Sequence, residues 1–230
     1  MMVLFGKSKK TEETVVAMLA SAIRRDISFA VLAPDQKLKI DQLRQSYGGS
    51  NHSMRECLRM LAAEGMVEAT SQRGFRVTSA TEEDLRDILL MRLECEKLGL
   101  ERSMKAGGIA WETRVVAAFH ALSRAEAEVQ ASPDDLTALT WDEACHTLSS
   151  ALISASGSPR LMAMADQFYN QSRRFRLARL REGRIDFAAR SDRARALQEA
   201  VLARNSAAAL HLLEQDIIED LGASHLSQGQ

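Results

Sequence analysis

The stretch from Pro34 to Ser79 constrains the fold more than any other, because its signals come in an order that few architectures can use. A short polar segment, Lys39 to Tyr47, leads through Gly48-Gly49 into Ser50-Asn51-His52-Ser53-Met54-Arg55-Glu56-Cys57-Leu58-Arg59, and the helical pattern continues to Glu64. Met54, Leu58, Leu61 and Ala62 recur at helical spacing and can bury one face, which leaves Asn51, His52, Arg55 and Arg59 on or near the other. Gly65 ends that helix where a left-handed backbone is cheapest. Met66 to Thr70 then alternates as a strand, Ser71 to Gly74 makes a turn, and Phe75 to Thr78 forms a second strand. The order is that of a winged helix-turn-helix. Its second helix, basic outside and apolar inside, suits a major groove.

The rest of the chain points to helix. Three prolines, twelve glycines and 5% aromatic residues, with abundant Ala, Leu, Arg and Glu, favour helices over sheet. Thr11 to about Ala30 is a predicted first helix with Val15, Leu19, Ile23 and Ile27 on one side, and Lys37 to Lys39 a short strand against the wing. From Glu82 onward six helical segments are separated by breaks near Gly107-Gly108, Ser132-Pro133, Gly157-Ser158-Pro159, Glu182-Gly183 and Asn205-Ser206. The expected fold is mainly α, an N-terminal winged helix-turn-helix followed by a C-terminal antiparallel all-helical bundle. The predicted division is a flexible tail (1–9), a winged domain (10–78), a helical domain (79–222) and a flexible tail (223–230).

Charge divides along the same line. Residues 1–78 hold 12 Lys and Arg against 8 Asp and Glu, a balance of +4, whereas 79–230 hold 18 against 23, a balance of −5. A modestly basic head on an acidic body fits a nucleic-acid reader joined to a sensing or assembly module. No run reaches the roughly 18 apolar residues of a membrane span, and Met1 to Thr11 lacks an apolar core of signal-peptide length. A cytoplasmic protein with no membrane partner is expected. Cys57, Cys95 and Cys145 are odd in number, widely spaced and set among apolar neighbours, as buried reduced thiols are.

These residues resemble the GntR superfamily of bacterial transcription regulators, in its FadR-like branch with a helical FCD effector domain. The resemblance spans nearly the whole chain. It is carried by Leu32-Ala33-Pro34, by Ser50 to Leu58 in the place of the family's S-R-T-P-V-R-E-A-L, by Ala63-Glu64-Gly65-Met66-Val67, and by Arg73-Gly74-Phe75-Arg76-Val77. It continues in Asp84-Leu85, in Arg92 and Glu96 of the R-x-x-L-E helix, in Asp142-x-x-x-His146, and in Gly157-Ser158-Pro159-Arg160-Leu161. The resemblance implies contact with a double-stranded DNA operator through Lys39, Ser50, Asn51, His52, Ser53, Arg55, Arg59, Arg73 and Gly74.

Departures from the family pattern bear on how DNA is read. Asn51 stands where Arg is usual, Ser53 where Pro is common, and Asp41 where Arg or Glu is frequent. Arg commonly reads guanine and Asn adenine, so an Asn51 facing a base implies an unusual operator; otherwise Asn51 contacts phosphate or caps its helix. Arg55 either holds DNA or joins a solvated face. Arg73 and Gly74 fit a wing tip that approaches the minor groove. Asp41 near a phosphate would weaken binding.

In the helical domain the informative helix is Thr140 to Ser154. Asp142 and His146 lie one turn apart on one side, which is chelating geometry where other ligands converge. In metal-bearing relatives of the resemblance, two further histidines complete that pair; Ala194 and Asp216 stand at those positions here, and His211 turns to another face. Three readings stay open. Asp142, His146 and Asp216 with waters hold a divalent ion such as Zn, Ni or Mn; or Asp142 and His146 bond to each other; or a metal-free pocket binds an acid through cationic groups. Arg92 follows the apolar stripe of Leu85, Ile88 and Leu89, so its guanidinium points inward and needs Glu96 or an acid as partner. The expected effector set is Arg92, Asp142, His146 and Asp216. Arg173, Arg174, Arg176 and Arg179 are expected on a solvated or dimer face.

The resulting expectation is a homodimeric, ligand-responsive regulator, more a repressor than an activator, with a palindromic operator and a small organic acid as effector. The rival is a metabolite-binding or protein-interaction module without specific DNA recognition. An enzyme is not expected, because Asp142 and His146 lack a nucleophile, a Gly-rich phosphate loop and a complete metal set.

Overall fold

The computed structural model describes residues 6–70 and 74–222, and the side-chain surroundings of 14–69 and 74–222. The chain divides into two compact units, residues 1–81 and 82–230.

The first unit holds α1 (Gly6–Ser28), β1 (Lys37–Leu38), α2 (Ile40–Tyr47), α3 (Asn51–Ala63), β2 (Val67–Thr70) and β3 (Gly74–Val77). The first helix begins inside the segment read as a flexible tail; residues 1–5 and 223–230 lie outside the described residues. Its apolar side is Leu19, Ala20, Ile23 and Ile27, all buried, whereas Val15 is exposed. These side chains pack against Met54, Cys57, Leu58 and Leu61 of α3. Arg24 locks the two helices together, donating from Nε and Nη2 to the two carboxylate oxygens of Glu64 at 2.9 and 2.6 Å. The strands form an antiparallel sheet in the order β1-β3-β2, with Lys37 opposite Arg76 and Glu68 opposite the same residue on the other side.

The second unit is an antiparallel helical bundle of α4 (Glu82–Ala106), α5 (Ile109–Ala131), α6 (Asp135–Ile153), α7 (Pro159–Arg181), α8 (Phe187–Leu202) and α9 (Ser206–Leu221). Four of the five breaks end in a side-chain cap. Asp134 and Thr137 form a capping box, Ser158 caps α7 with Pro159 in its first turn, and Asp186 and Asn205 cap α8 and α9. Gly99 allows α4 and α6 to cross closely: a Cβ there would lie 2.8 Å from the Ile153 side chain. Trp111 and Trp141 fill the core, and Trp111 Nε1 donates to the Ala151 carbonyl at 3.0 Å. Among the described residues no helix is long and apolar enough to cross a membrane.

Candidate functional site

The outer face of α3 is built by burying its inner one. Met54, Cys57, Leu58 and Leu61 have no exposed surface, and Asn51, His52, Arg55 and Arg59 are exposed. A capping box starts the helix: Ser50 Oγ accepts from Ser53 N at 3.0 Å, and Ser53 Oγ accepts from Ser50 N at 2.9 Å. That cap corrects one expectation. Ser53 is buried and its hydroxyl is engaged in the box, so it stabilises the helix start and is not presented to DNA. Arg59 is ion-paired with Glu56 on the same helix.

Arg44 is a member of this surface that sequence reasoning passed over. From the last turn of α2 its Nη1 donates to Asn51 Oδ1 at 3.3 Å and its Nε to the Gly49 carbonyl at 3.3 Å. Arg44 also lies 3.9 Å from Asp41, which thereby has a cation beside it. The signal was present, since Arg44 is the basic residue nearest the turn. Lys39 and Gly74 are exposed, and Gly74 opens β3 with a positive φ of 82°. Arg73 lies outside the described residues.

The second cluster lies inside the helical bundle. Asp142 has no exposed surface, and its Oδ1 accepts from Arg176 Nε at 2.9 Å and from Arg176 Nη2. Its Oδ2 faces Arg173 Nε. The expectation of a solvated or dimer face for these arginines is therefore corrected, since Arg176 is 1% exposed and Arg173 11% at the side chain. Burial works against charge on Arg176, and the field of Asp142 more than restores it.

His146 takes a different partner. Its Nε2 lies 2.6 Å from Asp166 Oδ1 and its Nδ1 3.8 Å from Glu143, so the reading in which Asp142 and His146 bond to each other gives way to a bond from His146 to α7. Burial lowers the imidazole pKa, but Glu143 and Asp166 outweigh it and the net shift is upward. Its ring stacks on Tyr169 with centroids 4.6 Å apart.

Tyr169 also carries two guanidiniums, Arg92 at 4.6 Å and Arg176 at 4.4 Å from its centroid. Its hydroxyl donates to the Asp142 carbonyl at 3.0 Å. Arg92 does point inward and pairs with Glu96, Nε to Oε1 at 2.5 Å, while its Nη1 donates to Ser172 Oγ. Arg190, which sequence reasoning missed, is the third buried guanidinium. It donates to Glu126 at 2.6 Å, pairs with Asp220, and reaches Cys145 Sγ at 3.2 Å. Its signal was its place on the buried stripe with Leu197 and Val201.

Arg92, Arg176 and Arg190 border one cavity of about 30 Å3, which Leu148, Leu152, Leu197 and Leu213 also line. Glu96, Asp216 and Asp220 line it too, so the cavity wall carries three carboxylates against three guanidiniums. Asp216 lies 3.4 Å from Arg193, and burial and the neighbouring Asp220 push its carboxyl up to about 6 against the pull of Arg190 and Arg193. A larger groove of about 710 Å3 runs along α4 and α9, lined by Glu83, Asp84, Asp87, Glu94 and Glu214 against Arg86 and Lys97, so its balance of charge is negative and disfavours an acid.

The residues do not fit the reading in which Asp142, His146 and Asp216 hold a divalent ion. Both oxygens of Asp142 face guanidiniums, His146 is held by Asp166, and Asp216 joins Arg193. Among the described residues no three His, Cys, Asp or Glu side chains converge as metal ligands.

Comparison with known proteins agrees with both units. Residues 16–77 match the family described as bacterial regulatory proteins, gntR family, and residues 77–218 match the FCD domain. The chain is 31% identical over 199 residues to the HTH-type transcriptional repressor GlaR of Escherichia coli K12, covering 85% of this chain and 89% of that one. It is 32% identical over 195 residues to BphR of Paraburkholderia xenovorans LB400, named an uncharacterized HTH-type transcriptional regulator, covering 85% and 79%. The fold is shared with E. coli McbR/YncC (TM-score 0.73, 16% identity, 94% and 99% covered). It is shared also with a putative GntR transcriptional regulator from Rhodococcus sp. RHA1 (TM-score 0.69, 20% identity, 94% and 98% covered).

Proposed function

Since the chain belongs to the GntR family, as a non-enzymatic DNA-binding transcription regulator with an FCD domain, we propose that it is a homodimeric repressor whose hold on a palindromic operator is weakened by a small organic acid. The observation that carries the DNA reading is α3, with Asn51, His52 and Arg55 exposed on one face and Met54, Leu58 and Leu61 wholly buried on the other. A helix so placed, with Arg44 beside its start, enters a major groove with cations near phosphates and an amide near base edges. Two copies related by a two-fold axis read two half-sites, which is why the operator is expected to be a palindrome.

Three buried guanidiniums in the helical unit support an acid as effector through exchange of partners, because each now holds a carboxylate of this chain, Glu96, Asp142 or Glu126 with Asp220, in place of one from a ligand. An acid that favours one arrangement of the dimer shifts its affinity for DNA by the difference in its own affinity for the two arrangements.

The test is selection of bound sequences from a random duplex library, followed by titration of the best site and a scrambled one over a salt series. A palindrome bound about a thousandfold or more tighter than scrambled DNA supports the reading. Equal, salt-sensitive binding to both would favour the rival metabolite-binding or interaction module.

A further inference from the structure

We infer that Arg44 sets which base Asn51 reads: its guanidinium holds the amide oxygen, so Asn51 offers the groove its amide nitrogen and selects guanine where an unheld asparagine would take adenine. The inference rests on the DNA reading above and adds one letter of the operator to it.

The assignment starts from what a guanidinium can bond. Arginine carries five N–H donors and no acceptor, so the Asn51 atom 3.3 Å from Arg44 Nη1 has to be the oxygen. The other end of the amide is then Nδ2, a donor only, on a residue that is exposed at the start of α3.

Arg44 is itself held. From the last turn of α2 its Nε donates to the Gly49 carbonyl at 3.3 Å, and Asp41 lies 3.9 Å from its Nη1. The chain brings that carbonyl round through two left-handed residues, Gly48 and Gly49, with φ of 78° and 82°. A Cβ on Gly49 would lie 2.9 Å from the Leu19 side chain, so the turn is closed against the core as well. Of the two departures from the family pattern, Asp41 steadies the arginine and Asn51 is steadied by it.

The base edges decide what such an amide can read. Adenine presents the acceptor N7 beside the donor N6 amino group in the major groove, a pattern that an unheld asparagine matches with both ends. Here the end that would accept from N6 already faces a cation, and an adenine would bring a second donor up against it. Guanine presents two acceptors, N7 and O6, and no donor, so Nδ2 can meet it without disturbing Arg44. Thymine offers one acceptor beside a methyl group, and cytosine a donor. Arg44 and Asn51 together therefore show the groove what a single arginine would, and the loss of arginine at position 51 does not by itself move the operator away from guanine.

The test repeats the random-duplex selection with the full chain as parent, Asn51→Ala, Arg44→Ala and Arg44→Lys. Both substituted side chains are exposed, so the fold is expected to survive. Asn51→Ala identifies the base pair, as the one position whose preference it erases. The parent should select guanine there, at least about fivefold over adenine when the two duplexes are titrated, the low end of what a base-edge contact discriminates. Arg44→Ala releases the amide oxygen and should turn that position to adenine with the rest of the site unchanged. Arg44→Lys keeps a charge for phosphate but not the two-point hold, so it should narrow the gap between guanine and adenine without changing the salt slope. If the parent selects a palindrome with adenine there, if Arg44→Ala keeps the parent's base at every position, or if Asn51→Ala weakens all sites alike, the inference falls and the regulator reading stands. Selection of no sequence by the parent overturns both.

Discussion

Arg176 on α7 and Asp142 on α6 form a two-pronged ion pair at the centre of the helical unit, each side chain 1% exposed. Removing one partner strands the other charge away from water, which costs about 3–5 kcal/mol. Asp142→Ala is therefore expected to lower the unfolding free energy by that amount in urea titrations. The double variant Asp142→Leu/Arg176→Met should recover only part of it, because the Arg176 charge is gone but Arg173, which also faced Asp142, is left with Glu143 at 3.5 Å.

Arg44 and Arg55 flank the outer face of α3 and are expected to touch phosphate. Arg55→Ala should weaken binding to the selected site and to random DNA by similar factors, and reduce the slope of log affinity against log salt by about one. Asn51→Ala should instead cost about 1–3 kcal/mol at one base pair only, seen as loss of preference in a repeated selection. A uniform loss for Asn51→Ala would place its contact on the backbone.

The Ser50 cap holds the start of the same helix. Ser50→Ala removes the acceptor for Ser53 N and should destabilise the first unit by about 1 kcal/mol in thermal or denaturant unfolding. Ser50→Thr should be close to neutral.

His146 gives the helical unit a pH-dependent contact. Burial opposes its charge, yet Glu143 and Asp166 raise its pKa above the usual 6.5. A histidine whose folded pKa is raised adds stability that is fully present below its unfolded pKa and is lost as pH rises through the folded value. The stability difference between the parent and His146→Gln should therefore be larger at pH 6 than at pH 8.5. An imidazole titration followed by NMR should have its midpoint above 6.5.

Two of the thiols should be inert. Burial pushes Cys145 up to about 12 and Cys57 up to about 11, so neither carries useful thiolate at neutral pH. Iodoacetamide at pH 8 is expected to leave both unmodified in the folded protein and to label them in urea, as mass spectrometry would report.

Much of this architecture was legible in the residues because its causes are local. Glycine after α3, the Ser158-Pro159 start of α7 and the caps at Asp186 and Asn205 act within a turn or two, so the chain itself marks the helix ends. The apolar spacing of Met54, Leu58 and Leu61 likewise names a buried face without reference to what covers it. Even so, Val15 obeys the periodicity of α1 and is exposed, since spacing marks a face and not how far its packing partner extends.

The site was legible only in part. The residues put Arg92, Asp142 and His146 in the helical unit, and the family resemblance implied two further histidines at places that Ala194 and Asp216 take here. It also contained, unread, the stripe of Ala165, Tyr169, Ser172 and Arg176 that carries an arginine inward. What no local pattern fixes is which buried charge meets which. Asp142 and Arg176 are separated by 34 positions, and their meeting depends on how α6 and α7 cross. An ion pair acts only over a few ångströms, so the tertiary structure alone decided that Asp142 answers to a guanidinium and His146 to Asp166.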